Sequence, residues 1–280
     1  MQNCLAYIRA SFPSLSDKER IIANYIIDHP EKIIHLSINE LAEETACAEA
    51  TIFRLCKRLG FKGYQALKIS LAKEVVHPIQ DLHEAIQEGD SLPVIAHKVF
   101  TTNIEALRDT LDILDEATLS EAITLLVQAR RIDLFGVGGS SSLILDAYHK
   151  FVRTGIPTFY HSDSHLQAIQ ASLLQKGDVV LGVSHSGVNK DILENLKIAK
   201  EAGAHIITIT RYGKTPISQL ADVSLFTASR ETIFRSEALS SRLAQLCIID
   251  ALYVGMAMTR FDETMSNTEK IREAISQKRL

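Results

Sequence analysis

The stretch from Val179 to Thr210, VVLGVSHSGVNKDILENLKIAKEAGAHIITIT, constrains the fold more than any other part of the chain. Val179 to Val183 is a short, β-branched apolar run, the pattern of a strand buried on both faces. Ser184 to Gly187 makes a turn. Ile192, Leu196 and Ala199 then share one face of a helix that stops at Gly203, and Ile206 to Ile209 supplies another buried strand. A strand–loop–helix–strand unit of this kind is a parallel crossover, so the loop sits at the carboxyl edge of a parallel sheet. There the hydroxyls of Ser184 and Ser186, the backbone at Gly187 and the helix cap Asn189 meet free N–H groups and the positive end of the helix dipole. That combination suits an anion, a phosphate above all.

The surrounding sequence extends the pattern. Ile132 to Val137 reads as a strand running into Gly138-Gly139-Ser140-Ser141-Ser142, followed by a helix through Tyr148 to about Arg153. Further strands are expected near Thr158–Tyr160 and at Asp222–Phe226. A long helix is expected from Glu237 to Arg260, with Leu239, Leu243, Leu246, Ile249 and Tyr253 as its apolar stripe. Five strands with intervening helices define an α/β doubly wound parallel sheet. The Gly-rich turn is neither a dinucleotide fingerprint, since Ser141 stands where the third glycine belongs, nor a P-loop, since no Gly-Lys-Ser/Thr follows. Two Ser-rich turns, each leaving a strand for a helix, can converge on one ligand.

The first 75 residues carry helical patterns and almost no strand signal. Ser16 with Glu19 and Ser37 with Glu40 have capping-box spacing. A short helix around Leu41 and Ala42, a turn at Glu43–Cys47 and a third helix from about Ala48 to Leu59 form a helix-turn-helix pattern ending at Gly60. On that third helix Ile52, Leu55, Cys56 and Leu59 face inward. Thr51 and Arg54 are expected to meet base edges, and Lys57 and Arg58 phosphates or bases. The whole chain has a net charge of −4, yet Glu49 to Lys73 holds six basic residues against one acidic. An ordinary solvated helix face carries such runs too; placed on this motif, it suits DNA.

A length of 280 residues accommodates two domains. A linker is expected near residues 77–104, which include Pro78, Gly89 and Pro93. Helices resume at about Ala96–Leu114 and Leu119–Arg130, as parts of the second domain or its dimer contacts. No apolar run approaches the roughly 20 residues of a membrane span, and the first ten residues lack a signal-peptide core. Cys4, Cys47, Cys56 and Cys247 show no metal or disulfide spacing. A cytoplasmic protein with reduced thiols, no cofactor and no membrane partner is expected.

The segment SINELAEETACAEATIFRLCKRLGFKGYQALKISLA resembles the helix-turn-helix domain of the RpiR family of bacterial regulators, most specifically in its GFxGYxxL ending. Cys47-Ala48 replaces the family's common Val-Ser, so the serine cap of the recognition helix is absent. FGVGGSS and GVSHSGVNKD resemble the sugar isomerase (SIS) domain, a flavodoxin-like phosphosugar-binding module, over about residues 105–260. Asn189 and Asp191 stand where that family often has Thr and Glu; both can cap a helix. The resemblance implies an all-α helix-turn-helix domain (1–76) followed by an α/β SIS domain (105–280). It implies DNA contacts from Thr51, Arg54, Lys57, Arg58 and Lys62. Phosphate contacts would come from Ser140, Ser141, Ser184, Ser186, Gly187 and Asn189, with His165 and Glu237, joined by His161, toward the sugar; Arg242 also stands in a position characteristic of these sensors. The implied protein is a transcriptional regulator, a repressor of a carbohydrate or amino-sugar catabolic operon. Its implied partners are double-stranded operator DNA, a phosphorylated sugar such as an N-acetylated amino-sugar 6-phosphate, and a second copy of the chain in a homodimer or higher homo-oligomer. A phosphosugar isomerase or lyase is the rival, with Glu237 or His165 as base.

Overall fold

A computed structural model describes residues 4–75, 89–228 and 239–278. Glu237 lies outside the described residues. The chain forms two compact units, one built on the N-terminal helices through Ile113, the other on Leu114–Thr227 and the segment from Ser241 onward.

The first unit contains α1 (Cys4–Ser11), α2 (Asp17–Asp28), α3 (Pro30–Ile33), α4 (Ile38–Thr45), α5 (Glu49–Arg58), α6 (Tyr64–Val75) and α7 (Leu92–Ile113). Both expected capping boxes start helices. The Ser16 N–H donates to Glu19 Oε2 at 2.9 Å. The Ser37 N–H donates to Glu40 Oε2 at 2.6 Å, while the Glu40 N–H donates back to Ser37 Oγ at 3.2 Å. Ile22, Ile26, Leu41, Ile52, Leu55, Leu67 and Leu71 close a single core. Between α4 and α5, Ala46 adopts φ +49°, alone among the described non-glycine residues in having a positive φ. The turn is held by Cys47 N–H to the Ala42 carbonyl at 3.0 Å; a left-handed alanine costs about 1–2 kcal/mol.

Helix α7 corrects one expectation. It runs unbroken through the 104/105 boundary and packs on α1 rather than belonging to the second domain. Arg9 donates twice to Asp109, at 2.9 and 3.1 Å, with both side chains almost fully buried. Ala106 and Ile113 are buried on the same helix. Hydrophobic periodicity cannot announce a charged pair as an anchor.

The second unit is a five-stranded, all-parallel sheet of β1 (Arg131–Phe135), β2 (Thr158–His161), β3 (Asp178–Val183), β4 (His205–Arg211) and β5 (Val223–Thr227), in the order β2-β1-β3-β4-β5. Alternate residues feed opposite faces. Ile132, Leu134, Val179, Leu181 and Ile207 pack under α8 (Glu116–Gln128), α9 (Ser141–Phe151) and α13 (Leu239–Thr259). Phe135, Val180 and Ile206 pack under α10 (Ser164–Ser172), α11 (Lys190–Glu201) and α12 (Pro216–Leu220). This three-layer arrangement is the doubly wound fold, with its strand-order reversal between β1 and β3.

Two further expectations change. Ser240–Thr259 is long and apolar enough, by length and composition only, to cross a membrane, although Arg242 and Asp250 interrupt it and it is no continuous apolar run. In this fold its Ala244, Ile248, Ile249, Leu252 and Met256 pack into the core, whereas Leu243 is exposed. The buried stripe therefore lies on a neighbouring face from the one expected, because the helix carries apolar residues on both. A last helix, α14 (Phe261–Ser276), adds to the expected elements; its first turn is acidic, with Asp262 and Glu263, and its one buried residue is Thr264.

Candidate functional site

The two Ser-rich turns leave β1 and β3, the adjacent strands flanking the reversal. Phe135 pairs with Gly182 on one side and His161 on the other, so Gly136, Val183 and the end of β2 finish at one level. The helices that follow β1 and β3 pack on opposite faces of the sheet, and the carboxyl edge at such a reversal is the usual ligand position in these sheets.

On the β3 side, Ser184 is only 4 % exposed, and its hydroxyl makes no hydrogen bond among the described residues. Its N–H donates to the Ile209 carbonyl at 3.1 Å, which fixes it to β4. Ser186 is exposed, and its Oγ accepts a long bond from the Val188 N–H at 3.4 Å. Gly187 has φ +68°, and a Cβ there would lie 2.3 Å from Thr215 Oγ1. Only glycine fits both demands. Asn189 caps α11, its Oδ1 accepting from the Ile192 N–H at 3.0 Å. The N–H groups of Lys190 and Asp191 lie in the first turn and have no intrahelical acceptor. Arg211 braces the loop from β4: its N–H donates to the His185 carbonyl at 2.9 Å and its Nε to the Ser186 carbonyl at 3.3 Å.

On the β1 side, Gly138 has φ +57°. Ser141 and Ser142 donate their hydroxyls to the carbonyls of Gly138 and Gly139, at 2.7 and 2.9 Å, which leaves Ser140 as the hydroxyl of this turn without a hydrogen bond among the described residues. Ser141 is therefore a scaffold for the turn, its proton already committed. The guanidinium of Arg242, on α13, reaches this turn: Nη2 stands 3.1 Å from where a Cβ on Gly139 would be. A Cβ at Gly139 would press only on the far end of that exposed, flexible side chain. The same contact brings an exposed cation, without a hydrogen-bond or ion-pair partner among the described residues, to the Gly138–Ser142 turn.

Toward β2, His161 ends the strand with its Nε2 buried and without a hydrogen-bond partner, and His165 is exposed in the first turn of α10. Gln167, wholly buried, donates its amide to the carbonyls of Gly136 at 2.9 Å and His161 at 2.6 Å. It ties the edges of β1 and β2 together. Sequence reasoning missed it, since a single glutamine in an amphipathic helix carries no signal until its burial is known.

The helix-turn-helix surface is also altered in detail. Ala48, the N-cap of helix α5, offers no side-chain cap, as the replacement of serine implies. Arg54, Lys57 and Lys62 are exposed. Thr51, expected at base edges, is only 5 % exposed, and its Oγ1 accepts from Arg54 Nη2 at 3.3 Å. It lies one helical step too far toward the core. Arg58 is committed to the domain itself, donating to the Ser14 carbonyl at 2.8 Å and pairing with buried Glu19 at 3.3 Å. Burial pulls the Glu19 carboxyl upward, but the Ser16 donors and Arg58 outweigh it and hold it below its ordinary value. Behind the helix, Tyr64 donates to the Leu36 carbonyl at 3.1 Å, its phenol pushed up to about 12 by burial, with Cys56 and Glu40 adding to the shift.

A helix-turn-helix unit followed by a doubly wound domain with an anion-suited sheet edge defines a sensor-type transcriptional regulator. Comparison with known proteins supports that class. Residues 2–78 match the helix-turn-helix domain of the rpiR family and residues 125–255 the SIS domain. The chain is 38 % identical over 277 residues to the HTH-type transcriptional regulator YbbH of Bacillus subtilis, covering 99 % of this chain and 98 % of the relative. It is 30 % identical over 275 residues to the HTH-type transcriptional regulator HexR of Pseudomonas aeruginosa, covering 98 % and 96 %. The solved structure of Vibrio vulnificus NanR complexed with ManNAc-6P matches with a TM-score of 0.63 and 26 % identity, covering 99 % of each chain. The chain belongs to the RpiR family of transcriptional regulators.

Proposed function

We propose that this regulator binds operator DNA through α5 and represses a carbohydrate or amino-sugar catabolic operon in the cytoplasm until a phosphorylated sugar occupies the carboxyl edge of the sheet at β1 and β3. The observation that carries the effector reading is the pair of uncommitted hydroxyls on the two loops at this sheet edge, Ser140 after β1 and Ser184 after β3, with Ser186 and the capped start of α11 on the second loop. Phosphate oxygens accept hydrogen bonds and take charge-assisted ones most strongly. Arg242 supplies the counter-charge. His161, His165 and Glu237 form the sugar end in this reading. The NanR complex with ManNAc-6P supports an N-acetylated amino-sugar 6-phosphate as the first effector to try. A homodimer presenting two recognition helices completes the proposal, since two half-sites multiply a weak single contact.

Thermal unfolding of the full chain against N-acetylmannosamine 6-phosphate, glucosamine 6-phosphate, glucose 6-phosphate and ribose 5-phosphate tests it. A ligand at a hundredfold excess over its Kd stabilises by about 2.7 kcal/mol, a clear rise in midpoint. Ser184→Ala with Ser186→Ala should remove that rise while operator binding by the ligand-free protein is unchanged. No shift with any phosphorylated sugar would refute the sensor reading.

A further inference from the structure

The burial of Thr51 and the engagement of Arg58 change which part of α5 faces outward. Among the exposed residues of that helix, Ala50, Phe53, Arg54 and Lys57 fall at i, i+3, i+4 and i+7 and form one continuous stripe. A solvated stripe on a strongly amphipathic helix is normally polar throughout. Here half of it is apolar, and Phe53 leaves 46 % of its surface in solvent between cationic side chains.

The ring of Phe53 has neighbours on two sides. One edge lies against the backbone of Gly63, where an added Cβ would be 3.5 Å from a ring carbon. The ammonium of Lys57 sits over the ring, 5.4 Å from its centroid. An aromatic ring has only two side-chain torsions, so it gives up less conformational freedom on meeting a partner than a long flexible side chain does. In the major groove the one apolar feature of a base pair is the thymine 5-methyl group, and the donor fork that fits guanine O6 and N7 is an arginine.

We infer that Phe53 is a specificity-determining residue that packs on a thymine methyl group, and that Phe53 with Arg54 reads a thymine next to or near a guanine in each half-site. This rests on the DNA-binding reading above. It assigns to Phe53 the apolar base contact that the buried Thr51 cannot make, and leaves Lys57 and Lys62 for phosphates.

The test begins by selecting preferred duplexes from a random-sequence library with the full-length protein. Each thymine of the selected site is then replaced by deoxyuridine, which removes only the methyl group. We expect one thymine in each half-site whose replacement weakens binding roughly fourfold, the value of one buried methyl. Phe53→Ala should weaken binding to the thymine-containing site and be insensitive to the replacement. Phe53→Leu, which keeps an apolar surface, should retain part of the methyl sensitivity, and it guards against a folding defect in the alanine variant. Specific binding with no methyl-sensitive thymine, or equal sensitivity in wild type and Phe53→Ala, would overturn this inference and leave the regulator reading standing. Failure to enrich any sequence would overturn both.

Discussion

Replacing Gly187 by alanine tests whether the Ser184–Gly187 loop has the geometry described. The backbone at 187 has φ +68°, where an L-residue costs about 1–2 kcal/mol. The new Cβ would fall 2.3, 2.6 and 2.7 Å from Oγ1, Cβ and Cγ2 of Thr215. Those atoms belong to the cap of α12, whose hydroxyl accepts from the Ser218 N–H at 3.1 Å. Moving Thr215 aside forfeits a cap of about 1 kcal/mol, and shifting the loop instead strains the Ile217 N–H bond to the Gly187 carbonyl. The total is about 2–4 kcal/mol, from strain, crowding and cap together. For a unit of this size that lowers the midpoint by roughly 5–15 °C, read by far-ultraviolet circular dichroism during heating or urea titration. A partner substitution separates the terms. Thr215→Gly removes all three crowding atoms and by itself costs only a few tenths of a kcal/mol to about 1 kcal/mol, because glycine is tolerated at a helix start. The double variant should therefore be more stable than the sum of the single effects predicts, by about 1–2 kcal/mol. Wild-type stability in Gly187→Ala, or strict additivity in the double variant, would refute this account of the loop.

Two further outcomes follow from buried charge. Asp109→Ala strands the Arg9 guanidinium among α1 and α7 and should destabilise the first unit by about 3–5 kcal/mol, whereas Arg9→Met with Asp109→Leu should recover most of it; hydrogen exchange of the α1 amides reads the loss. Glu19 is held below its ordinary value of 4.5, so the unfolded chain binds the proton more tightly; its contribution is present above about pH 4.5 and disappears as pH falls through the folded value. Glu19→Gln should cost about 1–2 kcal/mol at neutral pH through the weakened bonds to Ser16 and Arg58, and should flatten the acid limb of the stability curve; an unchanged limb in the variant would remove Glu19 from that role.

Much of the architecture was legible along the chain because it rests on short-range regularities. Capping boxes at Ser16 and Ser37, the stop at Gly60, and buried runs at 132–137 and 179–183 each encode an element within a few residues, and the parallel order follows from crossover length. The Ser-rich turns were legible for the same reason: a strand end, small residues and a helix start occur together. What escaped is what depends on the far side of the molecule. Thr51 and Phe53 are two residues apart on one helix. Which of them meets solvent is set by how α5 rotates against α2, α4 and α6, not by their spacing. Ser141 looks like Ser140 in the sequence, but only the turn conformation spends one hydroxyl and spares the other. The pairing of Arg9 with Asp109, the approach of Arg242 to Gly139 and the clasp of Gln167 across β1 and β2 join residues distant along the chain. By itself, then, the sequence determined most of the elements, their order and the kind of ligand each half suits, because local sterics and hydrophobic period act over one or two turns. The tertiary structure decided which polar groups remain free to act, because a donor or a charge is spent or spared only by the neighbours that packing brings to it.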